Sequence, residues 1–242
     1  MKSDAKRKRF TASEVQRRLR AMGSARNRAG MARFGITPGK SYGVSAPKLH
    51  ALAREIGRDH ALAQQLWRTG NREARIVGAL IGEPQRLTAA QMDRWCRDFD
   101  SWDVVDATCM YLYSATPLGW RKAVEWSRRE PEFEKRAGFA LMACLAWRDK
   151  AAGDANFRRL LPHIRRGARD PRNFVRKAVN WALRQIGKRN RALNRAAIAC
   201  AEHVRRDAAR YSGKGRTAAL WVAADALREL RSDGVQRRLR GI

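Results

Sequence analysis

Apolar residues recur along this chain at three- and four-residue spacings, and breaks marked by Pro or Gly interrupt them after stretches of about 10–16 residues. That rhythm dictates amphipathic helices joined by short connections. No segment carries the alternating apolar–polar pattern of a half-buried strand. Glu83-Pro84, Thr116-Pro117, Glu130-Pro131 and Asp170-Pro171 mark the breaks. Between and beyond them, helices are expected near 60–68, 73–81, 102–113, 120–128, 134–147, 157–166, 173–188, 194–211 and 216–230. Thr11 or Ser13 is placed to cap a first helix, Ser45 precedes another with Pro47 in its first turn, and Thr88 caps a third.

Helix pairs stacked in sequence give an all-α architecture, an irregular HEAT-like or armadillo-like solenoid whose concave face is the usual binding surface. The expected organisation is a basic arm at 1–9, a single helical-repeat domain at 10–236 and a frayed basic end at 237–242. No apolar run approaches the roughly 18–20 residues of a membrane span. The N-terminal charges have no apolar stretch behind them, so they do not read as a secretory signal.

Charge is the strongest compositional signal. The 242 residues carry 52 Lys plus Arg against 23 Asp plus Glu, a formal net charge of +29. Such an excess repels itself unless something anionic neutralises it, with nucleic acid the leading candidate and an anionic membrane second. Between Asn156 and Arg195 the chain has 13 Lys or Arg and a single acid, Asp170, which makes a basic patch rather than an evenly salted surface. The four cysteines (Cys96, Cys109, Cys144, Cys200) are scattered without C-x-x-C spacing. They read as small buried hydrophobes in a reducing, cytoplasmic setting, not as a metal site or a disulfide framework.

Motifs for nucleotide phosphates, zinc proteases and serine hydrolases are all missing. Gly213-Lys214-Gly215 reads as a loop too short for a nucleotide, but its amides, Lys214 and the adjoining Arg216 suit one DNA phosphate. Two other segments stand out. In Ser101-Trp102-Asp103-Val104-Val105-Asp106, Ser101 is placed to cap a helix and Asp103 lies in its first turn. Trp102 and Asp106, four apart, share one face. That spacing fits a carboxylate and an indole facing a ligand; it equally fits a buried Trp102 with Asp106 paired to a basic neighbour. On the helix near 173–188, Lys177, Trp181, Arg184 and Lys188 fall along one stripe. A tryptophan among cations holds nucleic acid well, the cations on phosphates and the ring on a sugar or base. The same stripe fits an inward Trp181 with solvated cations.

These residues resemble the bacterial DNA alkylation repair glycosylases of the AlkD type, which are built from HEAT-like repeats. The resemblance rests on Trp102-Asp103-x-x-Asp106, on Arg136 in Glu134-Lys135-Arg136-Ala137, and on Phe174-Val175-x-Lys177-Ala178-x-x-Trp181-x-Leu183-Arg184. It rests also on Gly43-Val44-x-x-Pro47, and it spans about 31–230. It implies that Trp102 and Trp181 flank a lesion nucleotide, that Asp106 stands beside the deoxyribose C1′, and that Arg136 grips the backbone nearby. It further implies a monofunctional glycosylase that removes cationic N3- and N7-alkylpurines without a base-flipping pocket and without metal or cofactor. The expected partner is duplex DNA carrying alkylated bases, bound by a monomer that is cytoplasmic and nucleoid-associated when on DNA. A non-catalytic binder of distorted or branched DNA on the same scaffold is the second reading, and a helical-repeat adaptor for acidic proteins the third.

Overall fold

Side-chain caps set where many of the helices begin. Thr11 accepts from the amide of Glu14 at 3.2 Å, Asp59 from Leu62 at 2.9 Å, Asn71 from Ala74 at 2.9 Å, Thr88 from Gln91 at 3.1 Å and Asn190 from Leu193 at 2.8 Å. The computed structural model describes residues 9–36 and 39–241, and every regular element among them is helical. Its contacts divide the chain into two compact units, residues 1–95 and 96–242. No sequence signal marks that division, because it falls inside a helix.

In the first unit, α1 (Ala12–Ala21), α2 (Ala25–Gly30), α3 (Ala46–Ile56), α4 (His60–Arg68) and α5 (Arg72–Ile81) lead to α6 (Ala89–Arg97), which contains the division. The sequence pattern gives no sign of α2. α5 is the centre, with α1, α3 and α4 packed on it. Trp67 and Trp95, both 2% exposed, stack with ring centroids 4.0 Å apart. Glu73 is fully buried, and its carboxylate accepts from the Ser41 hydroxyl at 2.7 Å and from the amides of Tyr42 and Gly43 at 3.0 and 2.9 Å. It thereby fastens the Gly43-Val44 segment to α5. Gly43 has φ +75°, and a Cβ there would lie 2.4 Å from the Ser24 carbonyl oxygen, so the turn requires glycine.

The second unit holds α7 (Trp102–Tyr111), α8 (Gly119–Trp126), α9 (Glu132–Arg148), α10 (Asp154–Gly167), α11 (Asn173–Gly187), α12 (Arg191–Asp207), α13 (Gly213–Leu230) and α14 (Asp233–Arg240). α7, α9, α11 and α13 pack one on the next in a row; α8, α10 and α12 lie against that row. α9 is buried on all sides from Arg136 to Ala146, which is why its sequence from Ala137 on is a continuous run without charge rather than a stripe. α8 approaches it so closely that a Cβ on Gly138 would lie 2.2 Å from the Ser127 amide.

Two expectations at the C-terminal end are corrected. The 212–215 segment is no loop: Ser212 is extended, and Gly213, Lys214 and Gly215 form the first turn of α13. Residues 237–240 are not frayed but complete α14, which Ser232 caps and Gly241 ends at φ +80°. Residues 1–8 of the expected arm, and Ile242, lie outside the described residues. All four cysteines are buried and none is in a disulfide, and no described helix is long and apolar enough to cross a membrane.

Candidate active site

α7 opens on Ser101, but the acid in its first turn serves as the local acceptor. One carboxylate oxygen of Asp103 takes the Val104 amide at 3.0 Å and also the Ser101 hydroxyl. Asp103 is thereby committed to the helix start. One turn on, Asp106 faces α9. Arg136 donates to both of its oxygens, from Nε to Oδ1 at 3.1 Å and from Nη2 to Oδ2 at 2.7 Å. A fork of this kind needs both oxygens unprotonated, so the geometry is that of the carboxylate.

The same guanidinium reaches a third helix, with Nη1 donating to the Phe174 carbonyl at 2.6 Å at the start of α11. It also lies 5.8 Å from the centroid of the Trp102 ring. Trp102, Asp106 and Arg136, scattered over more than thirty residues of sequence, are thus one cluster spanning α7 and α9 and anchored on α11. The Asp106 side chain is 20% exposed and that of Arg136 only 6%. Burial pushes the Asp106 carboxyl above its ordinary value, and Arg136 opposes that shift without cancelling it.

Arg136 is therefore not where the resemblance implied. Its Nε, Nη1 and Nη2 are all engaged inside the protein and it is buried, so it holds Asp106 rather than presenting itself to a backbone phosphate. Trp181 is half-buried on α11, seven residues beyond Phe174, or roughly 10 Å along the helix axis. Among the described residues no bond or ring contact joins Trp181 to the cluster.

The cation stripe of α11 divides. Lys177 is exposed. Arg184 and Lys188 instead turn to α13, where both bond the Glu229 carboxylate, Lys188 at 2.6 Å; Arg184 also lies 3.8 Å from Asp225. Their expected availability to phosphates is corrected by an acid 41 and 45 residues away that no local pattern exposes. Lys214 and Arg216 are exposed in the first turn of α13, which contains no acidic residue.

A family model described as DNA alkylation repair enzyme matches residues 15–220. No curated protein is similar enough to the chain to be matched. One similar solved structure is described as "A new family of proteins related to the HEAT-like repeat DNA glycosylases with affinity for branched DNA structures". It is 21% identical, with a TM-score of 0.71 over 80% of this chain and 83% of that one. The fold is accordingly the all-α HEAT-like repeat.

Proposed function

The chain belongs to the family of DNA alkylation repair enzymes, and on that premise we propose that it is a glycosylase releasing cationic N3- or N7-alkylated purines from duplex DNA. The observation that carries this reading is the Trp102–Asp106–Arg136 cluster: a partly exposed carboxylate, locked in orientation by a buried guanidinium, beside a half-exposed indole.

The chemistry suits a site this simple. An N3- or N7-alkylpurine already carries positive charge, so no acid has to protonate it. The C1′–N9 bond breaks with its electron pair leaving on the purine, which becomes neutral, and positive charge passes to C1′ and O4′ of the sugar. A water oxygen then bonds C1′ and loses a proton, leaving an abasic site. Asp106 places negative charge beside the developing oxocarbenium. A lone carboxylate at about 4 Å contributes roughly 1–4 kcal/mol in water-like to partly screened surroundings, and the positive charge of Arg136 subtracts from that. Such a contribution suits a labile lesion and not a neutral base. Trp102 and Trp181 add cation–π attraction of roughly 0.5–2 kcal/mol each where a ring faces the sugar or base.

The test is release of N7-methylguanine or N3-methyladenine from methylated duplex DNA in the presence of a chelator, compared between the native chain and Asp106→Asn. The expected result is release by the native chain and a loss of about 10²–10³ in rate on substitution, with DNA binding retained. The substitution replaces a charged hydrogen-bond acceptor with a neutral one, so a stability cost of about 1–3 kcal/mol is expected beside the loss of rate. Asp103→Asn, which keeps the helix-start acceptor, is the control that stays active.

A non-catalytic reading is favoured by the pairing of both Asp106 oxygens with Arg136. The similar solved structure is described as having affinity for branched DNA. Tight binding of a four-way junction together with no release of any alkylpurine would select that reading.

A further inference from the structure

The basic run between Asn156 and Arg195 is only partly absorbed by the candidate site. Its first four arginines, Arg158, Arg159, Arg165 and Arg166, all lie on α10, and none belongs to α7, α9 or α11. α10 packs against α12, and the two enclose a groove of about 670 Å³. Arg158, Arg165 and Arg166 line one wall; Arg210, just past the end of α12, lines the other, with Leu161 and Cys200 among the apolar lining. Among the described residues Asp207 is the only acid lining it. It is already bonded by Arg165, with Arg210 at 3.9 Å. Arg158, Arg166 and Arg210 are exposed, and Arg158 has no acidic partner among the described residues.

The cationic surface continues beyond the groove. A neighbouring hollow of about 560 Å³ shares Arg166 and adds Arg128 and Arg169. Arg169 lies 5.7 Å over the ring of Tyr211, another residue lining the groove. His163, which also lines that hollow, is pushed below its ordinary value first by burial and then by the nearby Arg166 and Arg128.

We propose that the α10–α12 groove is a second DNA-binding surface, which takes the sugar–phosphate backbone of a duplex segment other than the one at Asp106. Guanidiniums on both walls fit a ridge of phosphates lying between them, which a flat lipid surface does not provide. The inference rests on the reading that the chain acts on DNA, but not on catalysis. One chain then holds two duplex segments at once, as the arms of a branch or two neighbouring helices require.

The experiment uses the full chain, two short linear duplexes with different labels, and the variants R158Q/R166Q/R210Q and R158K/R166K/R210K. The native monomer is expected to capture both labels together at saturation. Its second duplex should show a log–log salt slope of about −3, for roughly three phosphates. The Gln variant should hold one duplex with affinity changed less than about twofold and lose co-capture by tenfold or more, and the Lys variant should retain it. Capture of a single duplex by the native chain overturns the proposal. So does undiminished co-capture by the Gln variant, co-capture by a dimer with one duplex per chain, or a loss in the Gln variant of binding to anionic vesicles alone. Alkylpurine release from the same linear duplexes is measured in parallel. Absent release with intact, Gln-sensitive co-capture removes the glycosylase reading and leaves this one standing.

Discussion

Arg136 carries more of the candidate site than any other residue, because it joins three helices through one side chain. It fixes Asp106 on α7 and the Phe174 carbonyl on α11 from its own position on α9. Removing it leaves a largely buried carboxylate unpaired, which typically costs 3–5 kcal/mol. The Asp106 carboxyl, already raised by burial, then loses the charge that opposes the shift. Arg136→Gln should therefore lower the unfolding free energy by about 3–5 kcal/mol and move the acidic limb of the activity profile to higher pH. Arg136→Lys should restore part of both. Urea titration and a rate–pH profile on methylated DNA measure the pair of effects; an unmoved profile means Arg136 does not act through Asp106. At this scale the sequence is readable where the partners are near. Trp102 and Asp106 share a face because they are four apart; of the alternative, the pairing of Asp106 with a base is realised, while Trp102 is half-exposed rather than buried. That the base is Arg136, thirty residues on, is a tertiary fact with no local periodicity behind it.

The connection between α10 and α11 is held by an ion cluster of the same kind. Asp170 accepts the Arg172 amide at 3.1 Å, Arg172 Nε at 2.9 Å and Nη2 at 2.6 Å, and Lys135 Nζ at 3.3 Å. Arg172 Nη1 in turn donates to the Glu130 carbonyl at 2.6 Å, tying this connection to the one before α9. Burial alone pushes the Asp170 carboxyl up; the hydrogen bonds from Arg172, with Lys135 behind them, outweigh it and hold the group below the ordinary carboxylate value. A depressed carboxyl contributes stability that is present above its unfolded value near 4 and is lost as the pH falls through its folded value. Thermal melts at pH 6 and pH 3 should then differ less for Asp170→Asn than for the native chain, and the variant should be the less stable at pH 6. Equal acid sensitivity of the two chains would remove Asp170 from the account. Helices of this length announce themselves through caps and apolar spacing, which is why 173–188 is read almost to the residue. α2 escapes because its six residues bury no side chain, and α14 because its apolar anchor is Val235 alone. Short elements held by one or two contacts leave no period to read.

For the molecule as a whole, the decisive quantity is how many of its cations are free to meet phosphate. With 52 basic and 23 acidic side chains, at least 29 cations lack an acid even if every acid pairs once. If about 5–8 phosphates are neutralised, the logarithm of DNA affinity should fall against the logarithm of salt with a slope of about −4.5 to −7. Which residues carry that slope is not a matter of sequence position. Lys177 is exposed, so Lys177→Ala should flatten the slope by about 0.9 with little change in stability. Arg184 and Lys188 stand on the same helix but share Glu229, whose carboxyl they hold below its ordinary value against the opposing effect of burial. Replacing either by Ala should cost about 1–3 kcal/mol in unfolding free energy and leave the slope nearly unchanged. Glu229→Gln is the converse change: it releases both cations towards solvent, and the slope should steepen by about 1–2. Equilibrium binding to an undamaged duplex between about 50 and 200 mM salt reads all four variants on one plot. If Lys188→Ala flattens the slope as much as Lys177→Ala does, the Glu229 clasp opens on DNA, and α11 meets phosphate along its whole stripe.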